Sequence, residues 1–282
     1  MIEVTNIETK LFLVEGPPCV EKSEMARLVA DILADSGRKV SVFDEKDMNH
    51  PADYVFHAYM TEDQIKELTL EEQRQIYAES IKVLAGYVVP LTKISVSLFG
   101  KIVPYKIYDK LDWETERPVM LEHWRSFART ARANNLVNVF NCCFFQAPIC
   151  ETLMRFDFSY SEIRAYINEI YNIIAGLNPA VIYLQCTDIK SRIEEVSEKR
   201  NAVWLNTSIH YHTSQGYGKR HGLTGFDGYI ACLQERQKTE LKIFNELPVK
   251  KLILTDPFIN WEGACDTIAA FVAGKTLLSR LT

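Results

Sequence analysis

Residues Gly16-Pro17-Pro18-Cys19-Val20-Glu21-Lys22-Ser23 have the length and end residues of a phosphate-cradling loop, Gly-x4-Gly-Lys-Ser/Thr. Glu21 stands where the second glycine belongs. Such a loop needs backbone N–H groups and a helix N-terminus to surround phosphate oxygens. It also needs a lysine to reach the outer phosphates and a hydroxyl to hold Mg²⁺. Gly16, Cys19, Val20, Glu21, Lys22 and Ser23 are therefore the candidate nucleotide-binding residues, with ATP and Mg²⁺ the implied cofactors. Glu21 counts against the assignment. Glycine lets the backbone approach phosphate in a conformation that strains other residues by ~1–3 kcal/mol. A carboxylate there also adds negative charge. The bland alternative is an ordinary strand-to-helix turn with Lys22 and Ser23 in the first helical turn.

Other residue groups could also do chemistry. Trp124, Arg125 and Arg129 could stack on or clamp a planar or anionic substrate. A core tryptophan with two surface arginines is the competing expectation. His50 and Asp53 line a substrate pocket or cap the next helix. His210 and His212 have metal-ligand spacing only for a strand, and their segment reads as helix or loop without nearby cysteine. Lys219, Arg220 and His221, set among glycines, read as a mobile basic loop that closes on phosphate or is simply solvated. Cys142 and Cys143 fall within an apolar run and read as core. Cys19 has no base beside it in sequence and is no candidate nucleophile.

The elements that must position these groups alternate between strand and helix. Apolar runs predict strands at 10–16, 39–43, 136–145, 180–184 and 251–254. Helical spacing predicts helices after Ser23, ending near Gly37, and at 160–177, 188–199, 228–247 and 261–276. The middle, roughly 50–135, reads as mainly helical at 62–86 and 113–134, with a short hairpin within 88–108. The expected architecture is α/β: a parallel sheet covered on both faces, in a single domain over 1–282. A helical insertion is expected at about 50–135 and a lid region at about 188–227.

Composition narrows the function classes. The 282 residues hold 32 basic and 37 acidic side chains, a net charge of −5. That balance gives no bulk attraction to nucleic acid or acidic lipid, so a polyanion would need a local cluster. No apolar stretch reaches the ~18 residues of a membrane span, and the N-terminal apolar run is too short for a secretory signal. Seven cysteines without a CxxC pair suit a reducing cytoplasm.

The chain resembles a group of bacterial P-loop NTPase proteins related to deoxynucleoside and thymidylate kinases. The resemblance runs from Leu11 to about Phe271. It is carried by the loop at 16–23, Asn49-His50-Pro51-Ala52-Asp53-Tyr54, Pro104-Tyr105-Lys106-Ile107-Tyr108-Asp109-Lys110, Cys142-Cys143-Phe144-Phe145-Gln146 and Gly216-Tyr217-Gly218-Lys219-Arg220-His221-Gly222. It implies a P-loop NTPase-like three-layer fold with a five-stranded parallel sheet, a helical substrate side and a basic lid. In such kinases the second strand ends in a carboxylate that accepts the substrate proton. Asp44 or Glu45 stands there, with Glu45 preferred. The third strand normally ends in a carboxylate that helps hold Mg²⁺. Asn141 occupies that place and, with Ser23, makes up the implied metal residues. The lid comparison assigns Arg192 and Arg200, eight residues apart on one helix, to the transferring phosphoryl group. A solvated face paired with Glu194, Glu195 and Glu198 is the alternative.

The resulting expectation is an ATP-dependent phosphotransferase acting on a hydroxyl of a small-molecule acceptor, without nucleic-acid or membrane partners. Its oligomeric state is open, a homodimer being one option. Because the chain departs from the pattern at Glu21 and Asn141, the alternative is a catalytically impaired kinase-fold protein with a binding or regulatory role.

Overall fold

The computed structural model describes residues 8–274. In chain order the elements begin with β1 (Leu11–Glu15), α1 (Lys22–Asp35) and β2 (Lys39–Phe43). Then come β3 (His57–Thr61), α2 (Glu62–Lys66), α3 (Leu70–Glu79), β4 (Ile81–Val83), β5 (Gly86–Pro90), α4 (Val96–Ile102) and α5 (Trp113–Ala133). Next are β6 (Leu136–Asn141), α6 (Gln146–Ile149), a π-helical turn at Cys150–Arg155, α7 (Tyr160–Ile174) and β7 (Ala180–Gln185). The chain finishes with α8 (Ile189–Lys199), α9 (Ala202–Thr213), α10 (Gly216–Arg220), α11 (Gly225–Glu246), β8 (Lys250–Thr255) and α12 (Trp261–Val272). Two compact units result. One runs to Asp44 and resumes at Ala131; the other is Glu45–Thr130.

The first unit is α/β. Its five strands lie in the order β2-β6-β1-β7-β8, and every pairing is parallel. β1 is buried along its whole length, its apolar run Leu11–Val14 suiting a strand covered on both faces. Phe12 and Val14 pack with Met25 and Val29 of α1 and Ile268 of α12. Residues of opposite parity point to the other face, and there Tyr183 of β7 meets Phe244 of α11 at 5.9 Å. Strand order reverses beside β1, so the loops after β1 and β6 open at the carboxyl edge of the sheet at a topological switch point.

The second unit holds α2 to α4, most of α5, and a three-stranded antiparallel sheet in the order β3-β5-β4. The helix expected over 62–86 is broken into two short helices and a strand. Thr61 and Thr69 each open a fresh helix through a reciprocal capping box, with Gln64 and Glu72 respectively. The hairpin falls at 81–90 and not within 88–108. The strand expected over 136–145 ends at Asn141. Its last residues leave the ladder because Cys142 takes left-handed backbone at φ 64°. Among the described residues no helix is long and apolar enough to cross a membrane.

Candidate functional site

The loop between β1 and α1 is built from unusual backbone. Gly16 has φ 146°, and a Cβ there would lie 2.4 Å from the carbonyl oxygen of Leu184, so a side chain is excluded. Cys19 and Glu21 are both left-handed, at φ 67° and φ 61°. A left-handed residue followed by a helical one turns successive N–H groups the same way, into an anion-binding concavity. Among the described residues the amides of 19 to 23 make no backbone hydrogen bond; the first to do so is Met25, to Glu21 O at 3.1 Å. Glu21 precedes α1 without capping it through its side chain.

Cations reach this loop from its own helix and from α8. Lys22 is buried, and its ammonium donates to Pro17 O at 2.6 Å. Arg192 extends from α8, whose start is capped by Asp188. Its guanidinium donates to Cys19 O at 2.6 Å, to Glu195 at 2.7 Å and to the Glu21 carboxylate. It also lies over the Phe258 ring at 4.4 Å. The charge that Glu21 brings to the loop is therefore compensated within the chain. Arg200 ends the same helix over the Trp204 ring at 4.6 Å and has no hydrogen bond to the loop among the described residues. Burial pushes the Cys19 thiol up, against the opposing pull of Arg200, Lys22 and Arg192.

Ser23, in the first turn of α1, faces the ends of two strands. Asn141 Nδ2 lies 2.9 Å from Ser23 Oγ and 2.9 Å from Asp44 Oδ1. Beneath the loop is a buried polar network that sequence reasoning missed. Glu15 ends β1, and its carboxyl accepts the amides of Phe144 at 2.7 Å and Gln146 at 3.3 Å. Burial pushes its pKa up to about 7, and Glu240 adds to the shift. Arg236 pairs with Glu240 at 2.9 Å and approaches Gly16 O at 3.4 Å. Tyr183 donates to Glu240 at 2.5 Å. The available signal was a carboxylate closing an apolar run and an Arg–Glu pair at i,i+4 on a core-facing helix.

Glu45, His50 and Asp53 belong to the second unit. The Asp53 carboxyl accepts the Tyr108 hydroxyl. Burial pushes its pKa up to about 6, with Glu45 contributing. His50 Nδ1 accepts the Ala52 amide at 3.1 Å, and burial takes this imidazole down to about 4. His123, also unforeseen, stacks on Tyr54 at 3.7 Å and lies 3.1 Å from His50 O. Burial takes it down to about 4 as well. His50, Asp53, Tyr54 and His123, with His57 and Lys93, line a cavity of about 270 Å³. Trp124 is buried beside Phe127, and Arg125 and Arg129 both pair with Glu122, at 3.5 and 3.0 Å. Arg129 lines a second cavity of about 620 Å³ with Tyr54 and Lys82.

The basic segment at 216–222 is not a loose loop. Gly216–Arg220 is a helical turn, and Arg220 pairs with Asp157 at 2.7 Å. His212 is buried with Nδ1 on Ser208 O at 2.8 Å, whereas His210 is exposed on the same helix. Two residues apart on a helix do not face one ion. Among the described residues no three His, Cys, Asp or Glu side chains are grouped to hold a metal. In comparisons with known proteins, no family model and no curated protein matched the chain, and the site is read from its own geometry.

Proposed function

We propose that the chain is a P-loop nucleotide-binding protein that moves the γ-phosphoryl group of ATP to a hydroxyl of a small molecule. The supporting observation is the β1–α1 loop: amides 19 to 23 left without backbone partners at a helix N-terminus, with the Lys22 ammonium over the same loop. The aligned amides and the helix dipole favour an anion there. Lys22 would exchange Pro17 O for the outer phosphates, and Ser23 would offer its hydroxyl to a Mg²⁺ ion. That ion, when bound, neutralises charge on the phosphates. Arg192 and Arg200 take the role of stabilising the transferring group, which needs mostly positioning and positive charge. Glu45 is the proposed proton acceptor, and His50 and Asp53 the proposed acceptor-binding groups. The acceptor itself is a small molecule bearing a hydroxyl.

Lys22→Ala is expected to weaken ATP binding at least tenfold in titration calorimetry, with and without Mg²⁺. Wild-type affinity in that variant would overturn the assignment. A second reading, a kinase-fold protein that binds without catalysing, has its own support. Arg192 is committed to Glu21 and to Cys19 O. It predicts little Mg·ATP binding by the wild type and a gain in Glu21→Gly. Mg-dependent ATP turnover by the wild type rules it out.

A further inference from the structure

Phe43 and Phe140 are register partners on the parallel pair β2 and β6, so Asp44 and Asn141 leave neighbouring strands side by side. One nitrogen joins them: Asn141 Nδ2 is 2.9 Å from Asp44 Oδ1 and 2.9 Å from Ser23 Oγ. A carboxylate can only accept, so the NH₂ end of the amide must face Asp44. The oxygen end is turned away and accepts Cys142 Sγ at 3.2 Å. Asn141 therefore presents donors toward Ser23 and Asp44, and donors repel a cation. Asp44 presents oxygens and is 43% exposed. Its ion partner among the described residues, Arg27, stands off at 3.8 Å and is itself exposed.

We infer that Asp44 supplies the carboxylate for a divalent cation of the Mg²⁺ class at Ser23, and that Asn141 is a positioning residue holding the two. The inference rests on the nucleotide-binding reading and deepens it. A hard cation of this class binds oxygen, keeps several waters, and is held by one or two carboxylates together with substrate phosphates. One carboxylate beside one hydroxyl at the head of the loop is that donor set. The charge missing from the end of β6 is thus carried by the adjacent strand. It also gives the two acidic neighbours separate tasks, Asp44 the cation and Glu45 the proton.

The test compares ATP affinity in EDTA with affinity in Mg²⁺ by titration calorimetry, with Mn²⁺ uptake in the presence of ATP followed by electron paramagnetic resonance. For the wild type, Mg²⁺ is expected to tighten ATP at least tenfold. In Asp44→Asn that ratio should fall toward one, with affinity in EDTA kept or raised, and bound Mn²⁺ should disappear. Asp31→Asn, the same charge change on the exposed face of α1, should keep the wild-type ratio. The swap Asp44→Asn/Asn141→Asp returns a carboxylate to the pair and should recover both signals. An undiminished ratio in Asp44→Asn overturns the inference, as does wild-type ATP binding that Mg²⁺ does not strengthen. Loss in Asp44→Asn without recovery in the swap overturns the charge assignment. No ATP binding under either condition rejects the nucleotide reading itself and the inference with it.

Discussion

Glu21 occupies left-handed backbone at φ 61°, a position that strains a side-chain-bearing residue by ~1–3 kcal/mol. Its carboxylate is spent on Arg192, which is 9% exposed. A double-variant cycle isolates the joint contribution of the pair from the backbone strain that Glu21→Gly relieves and from the bonds Arg192 keeps to Glu195 and Cys19 O. Urea unfolding of the wild type, Glu21→Gly, Arg192→Ala and the double variant is expected to show a coupling of ~0.5–3 kcal/mol. Strictly additive changes would mean the pair contributes nothing jointly. Arg192→Ala should also weaken ATP binding more than the double variant does, because it alone exposes the Glu21 charge to phosphate. At this scale the loop at 16–23 could be read from sequence because its signal is local. The partner of Glu21 could not, since 171 residues separate it from Arg192. Glu15 was hidden for a different reason. Its role is to catch amides of Phe144 and Gln146 on the next strand's loop, and no spacing within β1 reports that.

At the scale of elements, the three inner strands of the parallel sheet, β6, β1 and β7, could be read from apolar runs, which buried parallel strands require, whereas the edge strands β2 and β8 are only partly buried and read from shorter runs. The antiparallel sheet could not. Its ladder depends on cross-strand partners such as Met60 and Tyr87, and the segment 62–86 carries enough helix-forming residues to read as one helix. The two Thr-initiated capping boxes were the overlooked signal. The helix α10 offers a test of how a short element is seated. Gly216 has φ 39°, and a Cβ there would sit 2.1 Å from Met154 O and 2.3 Å from Arg155 O. Gly222 has φ 66° with nothing within 4 Å. Gly222→Ala should therefore cost only the backbone preference, ~1 kcal/mol. Gly216→Ala should cost that plus the displacement of backbone on the π-helical turn, a further ~1–3 kcal/mol. Urea midpoints at constant m-value measure both. Equal losses would show that the contact between α10 and residues 150–155 yields freely.

The chain divides into two compact units, Glu45–Thr130 and the remainder, where the sequence reads as one domain with an insertion at about 50–135. Contact density, unlike an apolar run, has no one-dimensional signature, and α5 runs through the later boundary without a linker to mark it. The units differ in what they bury, and acid should distinguish them. His50 and His123 of the second unit have native pKa values lowered to about 4. A histidine held neutral keeps its full contribution above its unfolded value of ~6.5 and loses it as pH falls toward 4. Between pH 6.5 and 5 each costs about 1.5 kcal/mol. Asp53 works the other way: its pKa is raised to about 6, so its contribution is present at low pH and lost as pH rises through 6. Acidification over the same window returns about 1 kcal/mol. In the first unit His212, lowered to about 4, is offset by Glu15, raised to about 7. The second unit should therefore lose about 2 kcal/mol over this window while the first stays nearly level. Trp113 and Trp124 lie in the second unit, and Trp204 and Trp261 in the first. In the Trp204→Phe/Trp261→Phe background, the fluorescence-detected urea midpoint should fall from pH 6.5 to 5, and His123→Gln should remove most of that fall. A midpoint that drops equally with and without His123 would place the acid sensitivity elsewhere.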